Sequence, residues 1–177
     1  MRDWYILLVK TGQEEWIVDF LNQKLDSEDS RAFVPRKEVI FRRHGEDKVY
    51  QEIMFPGYVF MESSKPQAEL AAEIHGYIKM QKGIYRFLYN EDRRDITLRA
   101  EERDGIIAIC GTGPEYCMRK SVGIMVGDKV EILSGALRGK DITIRKLNRH
   151  KRQAVIQMLI LGQPKEISVA LEIVKRT

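Results

Sequence analysis

The sequence is poor in the residues that mark most chemistries. Its 177 residues include two cysteines, Cys110 and Cys117, and three histidines, His44, His75 and His150. One cysteine pair at that spacing, without a histidine or second pair beside it, makes neither a disulfide framework nor a metal site. We read both as reduced thiols of a cytoplasmic protein. The histidines fall in separate turns among charges, as surface histidines do, rather than as a base or a ligand. No His-Glu-x-x-His, Gly-x-Ser-x-Gly or paired metal motif occurs, and the glycines at 111 and 113 lack the Gly-Lys-Ser/Thr of a phosphate loop. Glu14-Glu15 and Glu101-Glu102 open predicted helices, where the helix dipole favours anions. That accounts for them without catalysis, so no enzyme activity, metal or cofactor is expected. No apolar run approaches the ~20 residues of a membrane span. The opening MRDWYILLVK is too short and too polar in its flanks for a signal peptide.

What is present is charge of uneven distribution. Residues 1–112 hold 17 Lys/Arg against 20 Asp/Glu, a net of −3, whereas residues 122–177 hold 11 against 5, a net of +6. A basic final third behind an acidic body predicts a second domain with an anionic partner. Between them GTGPEYCMRKSVG is linker-like in its Gly and Pro. We therefore expect domains at 1–112 and 122–177, joined by a linker at 113–121.

The stretch IMFPGYVFMES, Ile53 to Ser63, organises the first domain. After the bend expected at Pro56-Gly57, Tyr58 to Glu62 reads as a strand. Tyr58 and Phe60 then share one face, Val59 and Met61 the other. Apolar residues on both faces predict a central strand covered on both sides. Upstream, Trp4 to Val9 predicts a buried strand, and Thr11 is a candidate cap for a helix over Gln13 to Leu25. Trp16, Ile17, Phe20, Leu21 and Leu25 form that helix's apolar stripe. Arg31 to Arg43 is a strand interrupted at Pro35, and Lys48 to Ile53 returns after a turn at Gly45-Glu46-Asp47. The two arms make a hairpin tipped with Arg42, Arg43, His44 and Lys48. Lys65 to Ile74 is a second helix ended by His75-Gly76, Arg86-Phe87-Leu88 a last strand, and Ile96 to Cys110 a third helix. The order β-α-β-β-α-β is the split βαβ arrangement, an α+β fold with an antiparallel sheet and helices on one face. Short strands at Asp128–Leu133, Asp141–Leu147, Ala154–Leu161 and Lys165–Leu171, with turns between them, predict a small β-barrel.

Two surfaces carry candidate function. The aromatics Phe55, Tyr58, Phe60 and Phe87 can anchor a protein partner or stack unpaired bases. An RNA-recognition motif would need a basic residue before the glycine, and none precedes Gly57, so a protein partner is preferred. In the barrel, Arg145, Lys146, Arg149, Lys151 and Arg152 place five charges within eight residues. With His150 they form the predicted tip of its longest hairpin, and phosphates are the natural counter-surface. Arginines 149 and 152 are the first candidates for RNA contact, because a planar fork bonds phosphates and guanine edges in pairs. Arg36, Lys37, Arg42 and Arg43 can extend this surface.

Trp4-Tyr5, Lys10-Thr11-Gly12, Phe55-Pro56-Gly57-Tyr58-Val59-Phe60 and Arg86-Phe87-Leu88 resemble the signature of the NusG amino-terminal (NGN) domain. Gly127-Asp128, Val130, Ile132, Gly135 and Gly139 resemble the KOW motif of the same family's SH3-like carboxy-terminal barrel. The resemblance spans nearly the whole chain and is nearest to the specialised LoaP-type paralogues. It implies a transcription elongation and antitermination factor. In such a factor, the residues matching Phe55, Tyr58, Phe60 and Phe87 contact the clamp helices of RNA polymerase. It also implies a monomer that contacts a nascent RNA hairpin, with DNA of the transcription bubble as a further candidate partner, and no membrane. Two departures stand out. Leu161-Gly162-Gln163 replaces the Phe-Gly-Arg that engages Rho or the ribosome in housekeeping members, and Asp141 stands where the KOW motif usually has glycine. A housekeeping factor coupling polymerase to Rho or the ribosome is the alternative. A ribosome-associated or RNA-processing protein with a KOW barrel is a third reading.

Overall fold

The computed structural model describes residues 1–113 and 115–175; Pro114 of the expected linker, and Arg176 and Thr177 of the basic third, lie outside them. Along the chain run β1 (Asp3–Val9), α1 (Glu14–Lys24), β2 (Ser30–Phe33), β3 (Arg36–Arg43), β4 (Glu46–Ile53), β5 (Tyr58–Ser63), α2 (Gln67–Met80) and β6 (Ile84–Phe87). Then follow α3 (Ala100–Cys110), β7 (Cys117–Met118), β8 (Ser121–Val126), β9 (Lys129–Ser134), β10 (Ile144–Asn148), β11 (Gln153–Ile160) and β12 (Gln163–Ile173). By compactness these fall into two units that do not follow chain order. The first comprises Met1–Val34, Phe55–Arg103 and Ile160–Gln163; the second comprises, of the described residues, those within Pro35–Met54, Asp104–Leu159 and 164–175.

The first unit is built on an antiparallel sheet of order β2-β5-β1-β6. β5 is an interior strand, as its two apolar faces predict. Tyr58 lies opposite Leu8 and Phe60 opposite Ile6, so both are on one face, while Val59 and Met61 pair with Leu7 and Tyr5 on the other. Helix α1 buries Ile17 and Leu21, and α2 buries Leu70 and Ile74. The split βαβ order holds, with the β3–β4 hairpin inserted between its second and third strands.

Several local expectations change. Thr11 does not cap α1; Gln13 occupies that position without a side-chain bond, and Glu14 Oε2 instead accepts from the Gly12 N–H at 2.8 Å. Trp16 leaves the buried stripe and is 51% exposed, its ring stacked on Phe20 at 5.8 Å. Helix α2 runs through His75-Gly76 to Met80. A single helical glycine costs about 1 kcal/mol, and the continuation places Tyr77 edge-on against Phe20. Residues 96–98 are extended rather than helical, because Leu98 N–H donates to the Trp4 carbonyl at 2.7 Å and Thr97 bridges Tyr5.

In the second unit β3 and β4 pair from Arg36 opposite Ile53 to Arg43 opposite Glu46. His44 and Gly45 turn the chain with φ of 52° and 80°, the positive-φ pair that a two-residue hairpin favours. The stretch expected as linker supplies a strand: β7 joins β3 in parallel, Arg36 beside Cys117. Arg36 N–H donates to the Tyr116 carbonyl, and Lys120 N–H to the Glu38 carboxylate. The remaining strands form a five-stranded sheet of order β10-β11-β12-β8-β9. Ser121, expected to end the linker, instead starts β8 and accepts from the Leu137 N–H. β10 begins at Ile144, three residues later than predicted. Ile124, Ala154, Ile156, Val169 and Leu171 are buried in this unit.

Candidate functional site

The aromatic surface assembles around Phe60. Phe55 stacks on Tyr58 with ring centroids 6.3 Å apart and lies 5.5 Å from Phe60. Trp4 and Phe33 complete the cluster. Phe60 is 0% exposed and Phe55 is buried, whereas Tyr58 is partly exposed. Phe87 is not brought to this group. It pairs with Leu7 and touches Tyr5 on the opposite sheet face.

Glu14 holds the entry to this surface, a role the sequence reading missed. Its buried carboxylate accepts from the Gly57 N–H at 2.7 Å as well as from Gly12. Gly57 adopts φ +84°, and a Cβ there would sit 3.2 Å from Thr11 Oγ1. The helix dipole explains an acid in the first turn of α1 but not these two bonds. The signal available was an acid between two glycine-bearing turns.

The basic residues lie in the second unit. At the β10–β11 tip, Asn148 Oδ1 accepts from the Lys151 N–H at 2.9 Å and Arg152 turns back with φ 51°. Arg152 reaches Asp47 of β4 through two contacts, Nη2 to Oδ1 at 2.6 Å and Nη1 to Oδ2 at 2.5 Å. The bonded guanidinium holds the Asp47 carboxyl below its ordinary pKa, and Asp47 raises that of Arg152. Arg42 Nε lies 3.9 Å from the same carboxylate. Between the two tips runs a groove of about 420 Å³ lined by Phe41, Arg42, His150, Lys151, Arg152 and neighbouring residues. Arg43, Lys146 and Arg149 are exposed; Arg145 is exposed and donates to Gln157 Oε1. Lys37 is placed differently. It is buried, and its ammonium donates to the Ser168 carbonyl at 2.5 Å and lies 3.3 Å from Glu52. Arg36 is half-buried beside it.

The turn between β11 and β12 is also held. Glu102 is buried, and its carboxylate accepts from Gly162 N–H at 2.7 Å, Leu161 N–H at 3.1 Å and Arg99 N–H at 3.3 Å. The last bond is the N-terminal cap of α3; the first two lie 60 and 59 residues away in sequence.

Burial pushes the Cys110 thiol up to about 12, with Cys117 adding to it, and raises Cys117 as well. Such thiols are protonated and unreactive at neutral pH. Among the described residues no group of three or more His, Cys, Asp or Glu is placed to hold a metal. Nor, among the described residues, is any helix long and apolar enough to cross a membrane.

A family model described as "Transcription termination factor nusG" matches residues 2–107. The transcription termination/antitermination protein NusG of Thermus thermophilus is 24% identical over 168 residues, covering 91% of each chain. That of Xylella fastidiosa is 22% identical over 180 residues, covering 96% of each. A solved structure titled "Domain interaction in Thermotoga maritima NusG" matches with a TM-score of 0.57 at 20% identity, covering 96% of this chain and 94% of that one.

Proposed function

The chain belongs to the NusG family of transcription factors, and from that membership we propose that it is a LoaP-type antitermination factor working on particular transcripts. In this reading residues 1–112 bind RNA polymerase. Tyr58 is the accessible contact, and Phe55 and Phe60 shape the surface beneath it. Residues 122–177 hold nascent leader RNA and so promote read-through of terminators. The factor acts as a monomer in the cytoplasm, where transcript and polymerase are.

The observation that carries the reading is the gathering of Arg42, Arg43, Arg149, His150 and Lys151 as exposed side chains at two neighbouring hairpin tips of one unit. Cations clustered this way match a phosphate backbone, and each phosphate neutralised steepens the salt dependence of binding by about one unit of slope. Binding of a leader-RNA hairpin, titrated over a range of salt, tests it. Arg149→Ala is expected to weaken binding and flatten the slope; equal affinity and slope for wild type and variant would remove the tip from RNA contact.

A second reading, a general factor coupling polymerase to Rho or the ribosome, draws support from colinearity with relatives that carry the general name. Against it stands Leu161-Gly162-Gln163, which offers neither an aromatic ring nor an arginine. Hairpin-selective RNA binding favours the first reading, and RNA binding without selectivity the second.

A further inference from the structure

Phe41 has no use in a surface that only tracks charge. It is 59% exposed on β3 and lines the groove between the two hairpin tips. One exposed phenylalanine is ordinary on a protein surface. This one is flanked by Arg42, faces Lys48 across the hairpin and shares its groove with His150 and Lys151.

We propose that this groove seats one unpaired nucleotide of the RNA, its base against the Phe41 ring and its phosphates among Arg42, His150 and Lys151. The inference rests on the RNA reading above and adds a site to it. A volume of about 420 Å³ falls in the range of small-ligand clefts, roughly 300–1,000 Å³. RNA-binding proteins read looped-out nucleotides by stacking them on aromatic rings, because a paired base hides its face in the helix. The ring gives contact area, and the surrounding cations give the sign of the ligand. An acidic protein would satisfy the cations, but it would not require a flat aromatic at the groove's wall. Arg152 lines the same groove with its guanidinium already bonded to Asp47. It therefore fixes the spacing of the two tips and leaves phosphate contact to its neighbours.

The test uses the full chain and two synthetic RNAs of the same stem, one closed by a loop carrying a single 2-aminopurine, the other fully paired. The wild type is expected to prefer the looped RNA and to quench the 2-aminopurine. Phe41→Ala is expected to lose about tenfold in affinity for the looped RNA, together with the quench, and to bind the paired RNA as before. Phe41→Trp is expected to restore both. Arg149→Ala with Lys151→Ala should weaken both RNAs. If Phe41→Ala matches the wild type on looped RNA while the charge variant weakens it, the groove site is overturned and the RNA reading stands. If the wild type binds neither RNA, both fall. The looped sequence made as DNA separates transcript from transcription bubble, and equal binding of the two would overturn the assignment to RNA.

Discussion

Arg152 and Asp47, 105 residues apart in sequence, are joined by two charge-assisted contacts of 2.6 and 2.5 Å. A fork of this kind is the most directional ion pair available. At a solvent-facing tip it adds little to stability. Its effect is geometric, because it ties the tip of one hairpin to the tip of another.

The pair has a pH signature. Asp47 is held below the ordinary carboxylate range by Arg152 first, then by the nearby charges of Arg42 and Lys120. A depressed folded-state pKa contributes stability above the unfolded value, about 3.9, and that contribution disappears as pH falls through the folded value. The clasp should therefore be intact from neutral pH down to about 4. Carboxyl NMR titration should place the Asp47 midpoint below the ordinary value, and Arg152→Ala should return it toward ~3.9. An unmoved midpoint in the variant would detach Asp47 from Arg152.

Phe60 and Tyr58 should separate stability from binding. Phe60 is fully buried among Trp4, Phe33 and Phe55, so Phe60→Ala should cost about 3–5 kcal/mol of stability. Tyr58 is partly exposed, and Tyr58→Ala should cost about 1 kcal/mol. If this face meets polymerase, Tyr58→Ala weakens capture by isolated clamp helices by about 2 kcal/mol with the fold intact. Undiminished capture by folded Tyr58→Ala would take the residue out of the interface.

Glu14→Ala should be more harmful than a helix-start acid normally is. It strips acceptors from the N–H groups of Gly12 and Gly57, the latter buried. An unsatisfied buried donor costs about 1–3 kcal/mol, which urea unfolding resolves. Glu15, beside it in sequence and exposed, serves as the control, and its replacement by alanine should shift the midpoint little.

Gly135→Ala should abolish the barrel. A Cβ at that position would lie 2.1 Å from the Lys120 carbonyl oxygen and 2.5 Å from Ser121 Cα, on a backbone of φ +92°. Both obstacles are main chain, so no rotamer relieves them. Loss of dispersed amide resonances from β8 and β9, with those of β1 and β5 retained, is the expected result.

Patterns strong enough to outvote their surroundings were readable from sequence: the two-faced apolar run of β5, the two arms of the β3–β4 hairpin, and the turn-spaced strands of the barrel. What was not readable depended on partners far along the chain. Arg149 and Arg152 are both arginines of one basic run, and only Asp47 distinguishes them. β7 is too short to carry a period and exists because Arg36 finds the Tyr116 carbonyl. Phe87 lies on the other face because it pairs with Leu7, whereas Tyr58 and Phe60 pair with Leu8 and Ile6, a register that no residue type announces. Glu102 looked like a dipole acid and is one, but two of its three bonds go to a turn sixty residues on.

That last contact would make Glu102 a built-in competitor for any molecule that read the backbone donors of the Leu161-Gly162 turn. The donors a visiting molecule would read there are already answered by a carboxylate on the same chain. Because carboxylate and turn belong to one folded chain, their encounter is set by the fold and not by expression level. Such a visitor would see only the fraction of molecules in which Glu102 had let go, and its apparent affinity would be reduced by that fraction. Raising the amount of this protein in a cell multiplies turn and competitor alike, so the free fraction stays constant. Whatever weakens the Glu102 bond changes the fraction directly, even with the number of copies unchanged.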